Sequence, residues 1–335
     1  MRIGLALPHY DFSFPGGGPV SFASVAEVAV RAEALGFHSV WVSDHFFASL
    51  ARFGGPDEPQ GSLEPLSTLA GLAMRTERVR LGTLVLGASF RHPAILVKSA
   101  TAIDLLSGGR LELGIGAGWY EDEFRAFGYD FGTVGERFSV LEETVEVLDA
   151  LLPGGPVDFD GKHFTLRQAY NHPVPAQSPR PPIWIGAKGG DRALRLAARH
   201  ADGWNTAWRW MPKAYGARVA RAHELCEEVG RDPATLRLSL GLYTILGENP
   251  ADLVARWHRI QAWMPGRPFD LELVDTFAVD TLTGTPEQVL DKLAVFAGLG
   301  VEELIVCLAP VWFSLPDPSM LELFAETVLP EARRL

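Results

Sequence analysis

Residues Leu81–Trp119 read LGTLVLGASFRHPAILVKSATAIDLLSGGRLELGIGAGW, the core of two apolar runs separated by one longer segment. The runs, Val79–Leu86 and Leu111–Ile115, have strand length and end in small residues, and the segment between them predicts a helix over Pro93–Leu106. A strand, a helix and a second strand form a β-α-β unit, which makes the strands parallel with both ends on one side. The second strand runs into Gly114, Gly116 and Gly118. Glycines at alternate positions leave the backbone bare enough for a flat ligand to approach closely. The stretch therefore predicts a ligand shelf at the carboxyl ends of parallel strands.

The same alternation runs along the whole chain. Strands are expected at Arg2–Leu7, Ser39–Val42, Val79–Leu86, Leu111–Ile115, Ile183–Gly186, Gly203–Thr206, Leu236–Ile245 and Glu303–Leu308. Most are rich in Val, Ile and Leu without strict alternation, as for strands buried on both faces. Helices fall between them: Val25, Val28, Ala29, Ala32 and Leu35 recur at helical spacing, and Gly36 follows as a stop. Thr285-Pro286-Glu287-Gln288 combines an N-cap threonine, a first-turn proline and a capping-box glutamine. This is the pattern of an α/β chain, a (β/α)8 TIM barrel forming one domain over residues 1–335. A doubly wound open sheet is the rival, because strand order is not written in the sequence. Two insertions stand out. Val157–Leu166 (VDFDGKHFTL) carries Asp160-Gly161 between apolar flanks, a hairpin signal, and Gly247–Gly284 after strand seven includes an amphipathic stretch at Ala251–Met264. The proline-rich run Pro173–Pro182 reads as a boundary before strand five.

Composition narrows the function. With 47% hydrophobic and 21% charged residues, a chain of 335 residues buries a large core. No apolar run approaches the roughly 20 residues that span a bilayer, and MRIGLALPHY leads straight into a strand, so a cytoplasmic location without a membrane partner is expected. The net charge of −11 argues against nucleic acid as a partner, although a local basic patch can still bind a phosphate. Cys226 falls on an expected helix and Cys307 in an expected strand; neither has metal-ligand spacing, and both read as packed thiols.

In a barrel the site lies where strand ends meet the loops that follow them. Those positions hold Ser43-Asp44-His45-Phe46, Leu84-Val85-Leu86-Gly87, Gly116-Ala117-Gly118-Trp119-Tyr120, Gly186-Ala187-Lys188-Gly189-Gly190-Asp191, then Trp208, Trp210 and Trp312-Phe313. The nine histidines include no His-x-His and no His-x-x-x-His pair, which disfavours a metal-dependent hydrolase. Neither a G-x-S-x-G elbow nor a Walker loop is present. What remains, glycine and aromatics, suits a planar ring system bound by stacking.

Asp44-His45 is by spacing alone as readily a structural couple as a functional one. Histidine can move a proton near neutral pH, and a neighbouring carboxylate can orient it. The run Gly186–Gly190 opens a helix near Asp191, where backbone N–H groups with Lys188 and Arg192 would form an anion site; an ordinary βα turn has the same composition. The interval of Gly114, Gly116 and Gly118 is wrong for a dinucleotide fingerprint. Arg91-His92-Pro93 offers cationic contacts or merely opens a helix. Glu121, Asp122 and Glu123 read as solvated first-turn acids, Glu121 being nearest the shelf if one of them acts as a general acid.

These residues lie in segments that together resemble the bacterial luciferase-like superfamily of flavin- and deazaflavin-dependent oxidoreductases. The resemblance covers nearly the whole chain: LGFHSVWVSDHF, RVRLGTLVLGASFRHPAILVKSATAIDLLSGGRLELGIGAGWYEDEFRAFG, GERFSVLEETVEVLDALL, FDGKHFTL and PPIWIGAKGGDRALRLAARHADGWN follow in order. The combination is most similar to the branch using coenzyme F420, an 8-hydroxy-5-deazaflavin, with flavin mononucleotide (FMN) as the alternative cofactor. The resemblance implies a TIM barrel with the ring across its mouth, backed by a non-prolyl cis peptide at a bulge in strand three, here Leu84–Val85. It implies that Asp44 and His45 sit near the deazaflavin as the catalytic pair. Gly116, Ala117, Gly118 and Trp119 would form the shelf beside the ring, and Gly186, Ala187, Lys188, Gly189 and Gly190 the phosphate loop. One departure matters: a sugar-phosphate dehydrogenase branch has a glutamate acid or base where this chain has Trp119.

The expected activity is hydride transfer between the deazaflavin and a small organic substrate, apolar or planar in view of Phe46, Trp119, Tyr120, Trp208, Trp210 and Trp312. Some of these six are expected to serve as packing. An FMN-dependent, oxygen-using monooxygenase and a non-catalytic cofactor carrier are the rivals. Substrate choice would lie in Pro8–Pro19, Phe47–Pro65 and Gly247–Gly284, a basic exit for a polyglutamylated cofactor tail near Lys188, Arg192 or Arg91, and a homodimer interface on the early helices.

Overall fold

The computed structural model describes all 335 residues. Eight parallel strands form its centre: β1 (Arg2–Ala6), β2 (Ser39–Val42), β3 (Arg80–Thr83), β4 (Leu111–Gly116), β5 (Ile183–Gly186), β6 (Gly203–Trp208), β7 (Arg237–Tyr243) and β8 (Glu303–Cys307). Each pairs with its neighbour in sequence, and β8 pairs back onto β1 with Gly4 opposite Ile305. The sheet is a closed TIM barrel, so the open-sheet rival is excluded. Around it run α1 (Phe22–Leu35), α2 (Pro65–Ala73), α3 (Pro93–Leu106), α4 (Glu121–Ala126), α5 (Val134–Leu151), α6 (Asp191–His200) and further helices. The helix α1 buries Val25, Ala26, Ala29 and Ala32 and stops at Gly36, whose φ of 92° is the left-handed conformation glycine tolerates. Thr285 and Gln288 form the expected capping box.

The apolar run Val79–Leu86 is not one continuous strand. β3 ends at Thr83, the Leu84–Val85 peptide is cis as the resemblance implied, and Leu86–Gly87 then pairs with Ile115–Gly116. The Thr83 hydroxyl takes over part of the ladder, accepting from the Gly114 N–H at 2.9 Å and donating to the Gly114 carbonyl at 2.8 Å. The 157–166 insertion is a hairpin of Val157–Asp160 and Thr165–Ala169. Its turn is the longer Gly161–Phe164, because Glu143 of α5 accepts the N–H groups of Lys162, His163 and Phe164. The insertion after β7 contains the expected helix, Pro250–Trp263, capped by Asn249. Cys226 and Cys307 are buried free thiols, and no helix is long and apolar enough to cross a membrane.

Two tryptophans fill the barrel interior near its amino-terminal end, and glycines on adjacent strands make room for them. A Cβ on Gly82 would collide with Trp41, and one on Gly203 with Trp184. Their indole N–H groups donate to Ser39 Oγ at 2.7 Å and to Glu112 Oε2 at 2.7 Å, and the Ser39 hydroxyl bonds Glu303. Burial pushes the Glu112 and Glu303 carboxyls above the ordinary carboxylate range.

His38 lies beside this layer. Burial, with the like charges of Arg2, Arg80 and Arg237, pushes it down to about 4, and its Nε2 has no partner. His9, at the opposite end, is pushed down to about 3 by burial and by His45. Both imidazoles stay neutral in the fold and take up a proton near the ordinary value of 6.5 only on unfolding. Below that value the unfolded chain binds more protons than the folded one, so these two groups make stability fall as pH drops from 6.5 toward 4. The raised carboxyls act in the opposite direction, so the comparison must be with a variant. Melting temperature followed against pH should fall less steeply for His38→Asn than for the wild type; identical slopes would exclude the assignment.

Candidate active site

A cavity of about 740 Å³ opens at the carboxyl ends of the strands. A second, of about 780 Å³, lies at the opposite end among Arg2, His38, Arg78 and Arg333, away from every βα loop. Barrel chemistry belongs to the carboxyl-terminal end, which selects the first cavity. Into it the fold brings Asp44, His45, Leu84, Val85, Gly116, Ala117, Gly118, Trp119, Gly186, Ala187 and Lys188. Gly189 and Gly190 do not line it but lead from it into α6. Of the six aromatic candidates, Trp119, Trp208 and Trp312 line the cavity. Phe46 instead stacks on Phe127 at 4.3 Å, and Trp210 donates to Thr206 Oγ1 at 3.1 Å.

The floor is made by β3, β4 and β5. The bulge after Thr83 presses Val85 against the neighbouring strands. An added Cβ would stand 3.0 Å from a Val85 methyl at Gly114, 2.9 Å at Gly116, and 2.6 and 2.7 Å from its two methyls at Gly186. Protein thus already occupies the space beside these glycines. Gly118 differs: it has a φ of 77°, and a Cβ there would meet Phe124. At Gly114 the Thr83 carbonyl comes closer still, and at Gly116 the Gly186 carbonyl stands 3.0 Å away, so the glycine shelf follows from the bulge that seats Val85 together with the close approach of these backbones.

The two members of the Asp44-His45 pair have different partners. Asp44 Oδ2 accepts from the Gly87 N–H at 2.9 Å and from Arg91 at 2.5 Å, and Oδ1 accepts from the other Arg91 nitrogen at 3.0 Å. Burial would lower the Arg91 pKa, but bonding to Asp44 and Glu64 outweighs it and holds the guanidinium above its ordinary value. His45 Nδ1 lies 2.8 Å from Glu123, whose other oxygen accepts the Phe46 N–H at 3.0 Å. A carboxylate oxygen accepts, so Nδ1 carries the hydrogen of this bond, and a neutral ring so held has its lone pair on Nε2. Behind the pair, Ser43 donates its N–H to His9 Nε2 at 3.0 Å, and its hydroxyl meets Tyr10 OH at 2.5 Å.

Glu123 is the residue sequence reading undervalued. Its side chain is 1% exposed, whereas Glu121, expected nearest the shelf, pairs with Arg125 at the surface. The signal was present in the helical phase, since Glu123 shares a helix face with Tyr120, Phe124 and Phe127 and, with Phe124, is the part of it the fold buries. Of the three cations expected near a basic exit, Arg91 and Arg192 are engaged in ion pairs. Arg91 is held by Asp44 and Glu64, and Arg192 by Glu142 and the Gly135 carbonyl. Lys188 makes no carboxylate pair; its ammonium donates to the Ala207 carbonyl, and burial and the Arg52 charge push its pKa down. The helix α6 starts at Gly190 with no side chain capping its first N–H groups. Phe313, expected at the strand-eight end, also lines the cavity, as do Arg52, Phe53 and Tyr243, which carried no sequence signal of their own.

The sequence model of a family described as luciferase-like monooxygenase matches residues 1–303. An F420-dependent glucose-6-phosphate dehydrogenase of Amycolatopsis mediterranei (strain U-32) is 36% identical over 182 residues, 53% of this chain and 51% of that protein. The chain thus spans about half the length of that relative, whereas a protein of the same description from Nakamurella multipartita is 28% identical with 93% of both chains covered. Among solved structures, the coenzyme F420-dependent tetrahydromethanopterin reductase of Methanopyrus kandleri has the same fold, with a TM-score of 0.78, 21% identity and 98% of each chain covered.

The floor makes a direct prediction. Gly186→Ala should destabilise the protein by ~1–3 kcal/mol, the usual cost of overpacking. Adding Val85→Ala should recover most of that loss, because it removes the methyls the new Cβ meets. Chemical denaturation of the single and double variants measures this, and strictly additive losses would show that the two groups do not share the space.

Proposed function

The chain belongs to the luciferase-like monooxygenase family, and we propose that it is a coenzyme F420-dependent oxidoreductase acting on a small apolar or planar organic substrate. The observation that carries this reading is the His45–Glu123 pair at the wall of a cavity with a flat, glycine-backed floor. The names of the relatives from Amycolatopsis mediterranei and Nakamurella multipartita, both F420-dependent, support the cofactor. So does the fit of the residues. Val85 with Gly116 and Gly186 offers a planar support, and the uncapped start of α6 with Lys188 offers donors for a phosphate. When bound, the deazaflavin supplies two-electron hydride chemistry at its central ring carbon.

The residues of this chain would do the rest. Glu123 holds the imidazole through Nδ1–H, which leaves Nε2 outside that bond. His45 Nε2 is then set to take a proton from a substrate oxygen, or to return one, as hydride moves in the other part of the couple. Asp44 serves a different role in this reading. With both oxygens held by Arg91 and Gly87, it fixes the β2 and β3 loops against each other and contributes no mobile proton. Trp208, stacked on Tyr243 at 5.3 Å, and Trp312 give apolar surface for the substrate.

The test begins with binding. Titration of the purified protein with coenzyme F420 and, in parallel, with FMN should give micromolar or tighter binding of the deazaflavin alone. Preference for FMN would move the protein to the oxygen-using reading, and binding of neither would refute the site. With a turnover assay in hand, His45→Asn should lower kcat by about 10²- to 10⁴-fold, the usual contribution of a general acid–base group, with F420 affinity little changed. Glu123→Gln should cause a smaller loss, since the amide oxygen can still accept the Nδ1 hydrogen. Full activity in His45→Asn would remove the imidazole from the mechanism.

A further inference from the structure

The cavity holds a cation that neither the cofactor fit nor the proton pathway uses. Arg52 sits in the short turn Ala51–Phe53 of the loop after β2 and lines the cavity. Its guanidinium lies 4.5 Å from the centroid of the Trp119 ring and 5.9 Å from that of Trp312. No carboxylate pairs with it, in a chain with 41 acidic residues against 30 lysines and arginines. The two acids that line the cavity are engaged, and so is a neighbour of Arg52 in its loop. Asp44 is held by Arg91, Glu123 by His45, and Asp57 of the same loop accepts from Ser49 Oγ at 2.6 Å. Arg209, the other arginine of the cavity, pairs with Glu272 and Asp280. Beside Arg52, the buried Trp312 has an indole N–H without an acceptor.

Guanidinium and indole are both donors only, and Arg52 is exposed at the cavity, so its N–H edge is open to an acceptor that enters from outside the protein. Stacking on an indole covers a face of the guanidinium and leaves its N–H edge free, the edge that matches a carboxylate in two parallel hydrogen bonds. The surrounding rings favour a flat body attached to that acceptor: Trp119 stands 5.5 Å from His45 and 5.9 Å from Trp312, and Phe53 stands 4.6 Å from Trp312.

We propose that the substrate is a planar or aromatic carboxylate, with Arg52 reading its charge and the Trp119–Trp312 corner its ring. This rests on the oxidoreductase reading for its reaction, but the binding claim is separately testable. It also accounts for Trp119, the departure from the sugar-phosphate pattern: an indole at this position supports a guanidinium and a flat ring in place of a carboxylate acid. Specificity would then come from the Phe47–Pro65 loop, one of the three segments to which sequence assigns it.

Carboxylates could also arrive on the cofactor's own tail, so the experiment separates the two sources. Calorimetric titration of the F420-loaded protein with 2-naphthoate and with its neutral counterpart 2-naphthamide should show at least tenfold tighter binding of the acid. Arg52→Gln should abolish that preference while leaving F420 affinity within about twofold, consistent with the worth of a charge-assisted hydrogen bond. Equal affinities for acid and amide in the wild type, or binding of neither, would overturn the proposal. A loss of F420 affinity in Arg52→Gln would assign the arginine to the cofactor tail and overturn it equally. If the wild type binds no F420, the oxidoreductase reading fails, and the naphthoate preference measured without cofactor decides the role of Arg52 by itself. A matched melting temperature for Arg52→Gln confirms that the variant is folded.

Discussion

The Val85 side chain lies over three glycines of two strands, with its methyls 3.0 Å or less from where a Cβ would be at Gly114, Gly116 and Gly186. Everything at the carboxyl end of the barrel depends on that placement. The bulge that delivers Val85 interrupts β3 after Thr83, and the Thr83 hydroxyl replaces ladder bonds to Gly114 that the interruption removes. The strand then resumes at Leu86–Gly87, and the Gly87 N–H is thereby presented to Asp44. One local departure from regular sheet therefore sets the floor of the cavity, the spacing of β4 and β5 at its edge, and the anchor of the β2 loop.

Charge pairing explains how the site is held without becoming inert. Buried carboxylates need partners, because an unpaired charge away from water is costly. Asp44 takes Arg91 and Gly87; Glu123 takes His45 and Phe46. These two arrangements consume the acids around the cavity and leave the imidazole Nε2 as the group with proton-transfer capacity. They also leave Arg52 and Lys188 as cations without carboxylate partners, so a pocket in an acidic protein is locally basic. The overall charge and the charge of the site are different properties, set by different residues.

Much of this was legible in the chain. Period and length located the eight strands within a few residues, because each is a short apolar run bounded by glycine or a helix start. Thr285 and Gly36 marked helix ends through side-chain and backbone chemistry that is local. The glycine clusters and Asp44-His45 were visible as strand-end residues, and the cavity takes in Asp44, His45, Gly116, Gly118 and Gly186. The partner of His45 was not visible by adjacency: Asp44, next in sequence, points to Arg91, and the carboxylate that reaches the ring comes from 78 positions further on. Successive residues at a strand end point in different directions, so sequence neighbours need not be bonded neighbours.

Sequence by itself determined the alternation of eight strands with helices, the strand ends at which a ligand-facing rim would form, and the residue types available there, since these follow from periodicity, chain punctuation and local backbone preference. Closure of the sheet into a barrel was decided by the pairing of β8 with β1. Tertiary structure alone decided the pairings: Glu123 with His45, Arg91 with Asp44, Arg192 with Glu142, and Arg52 with two tryptophans and no acid. It also supplied the reason for the glycines: Val85 crowds Gly116 and Gly186, the Thr83 carbonyl crowds Gly114, and Phe124 crowds Gly118. The physical reason is the same in each case. A hydrogen bond or a van der Waals contact is fixed by distances across the barrel, and those distances exist only once the sheet has closed.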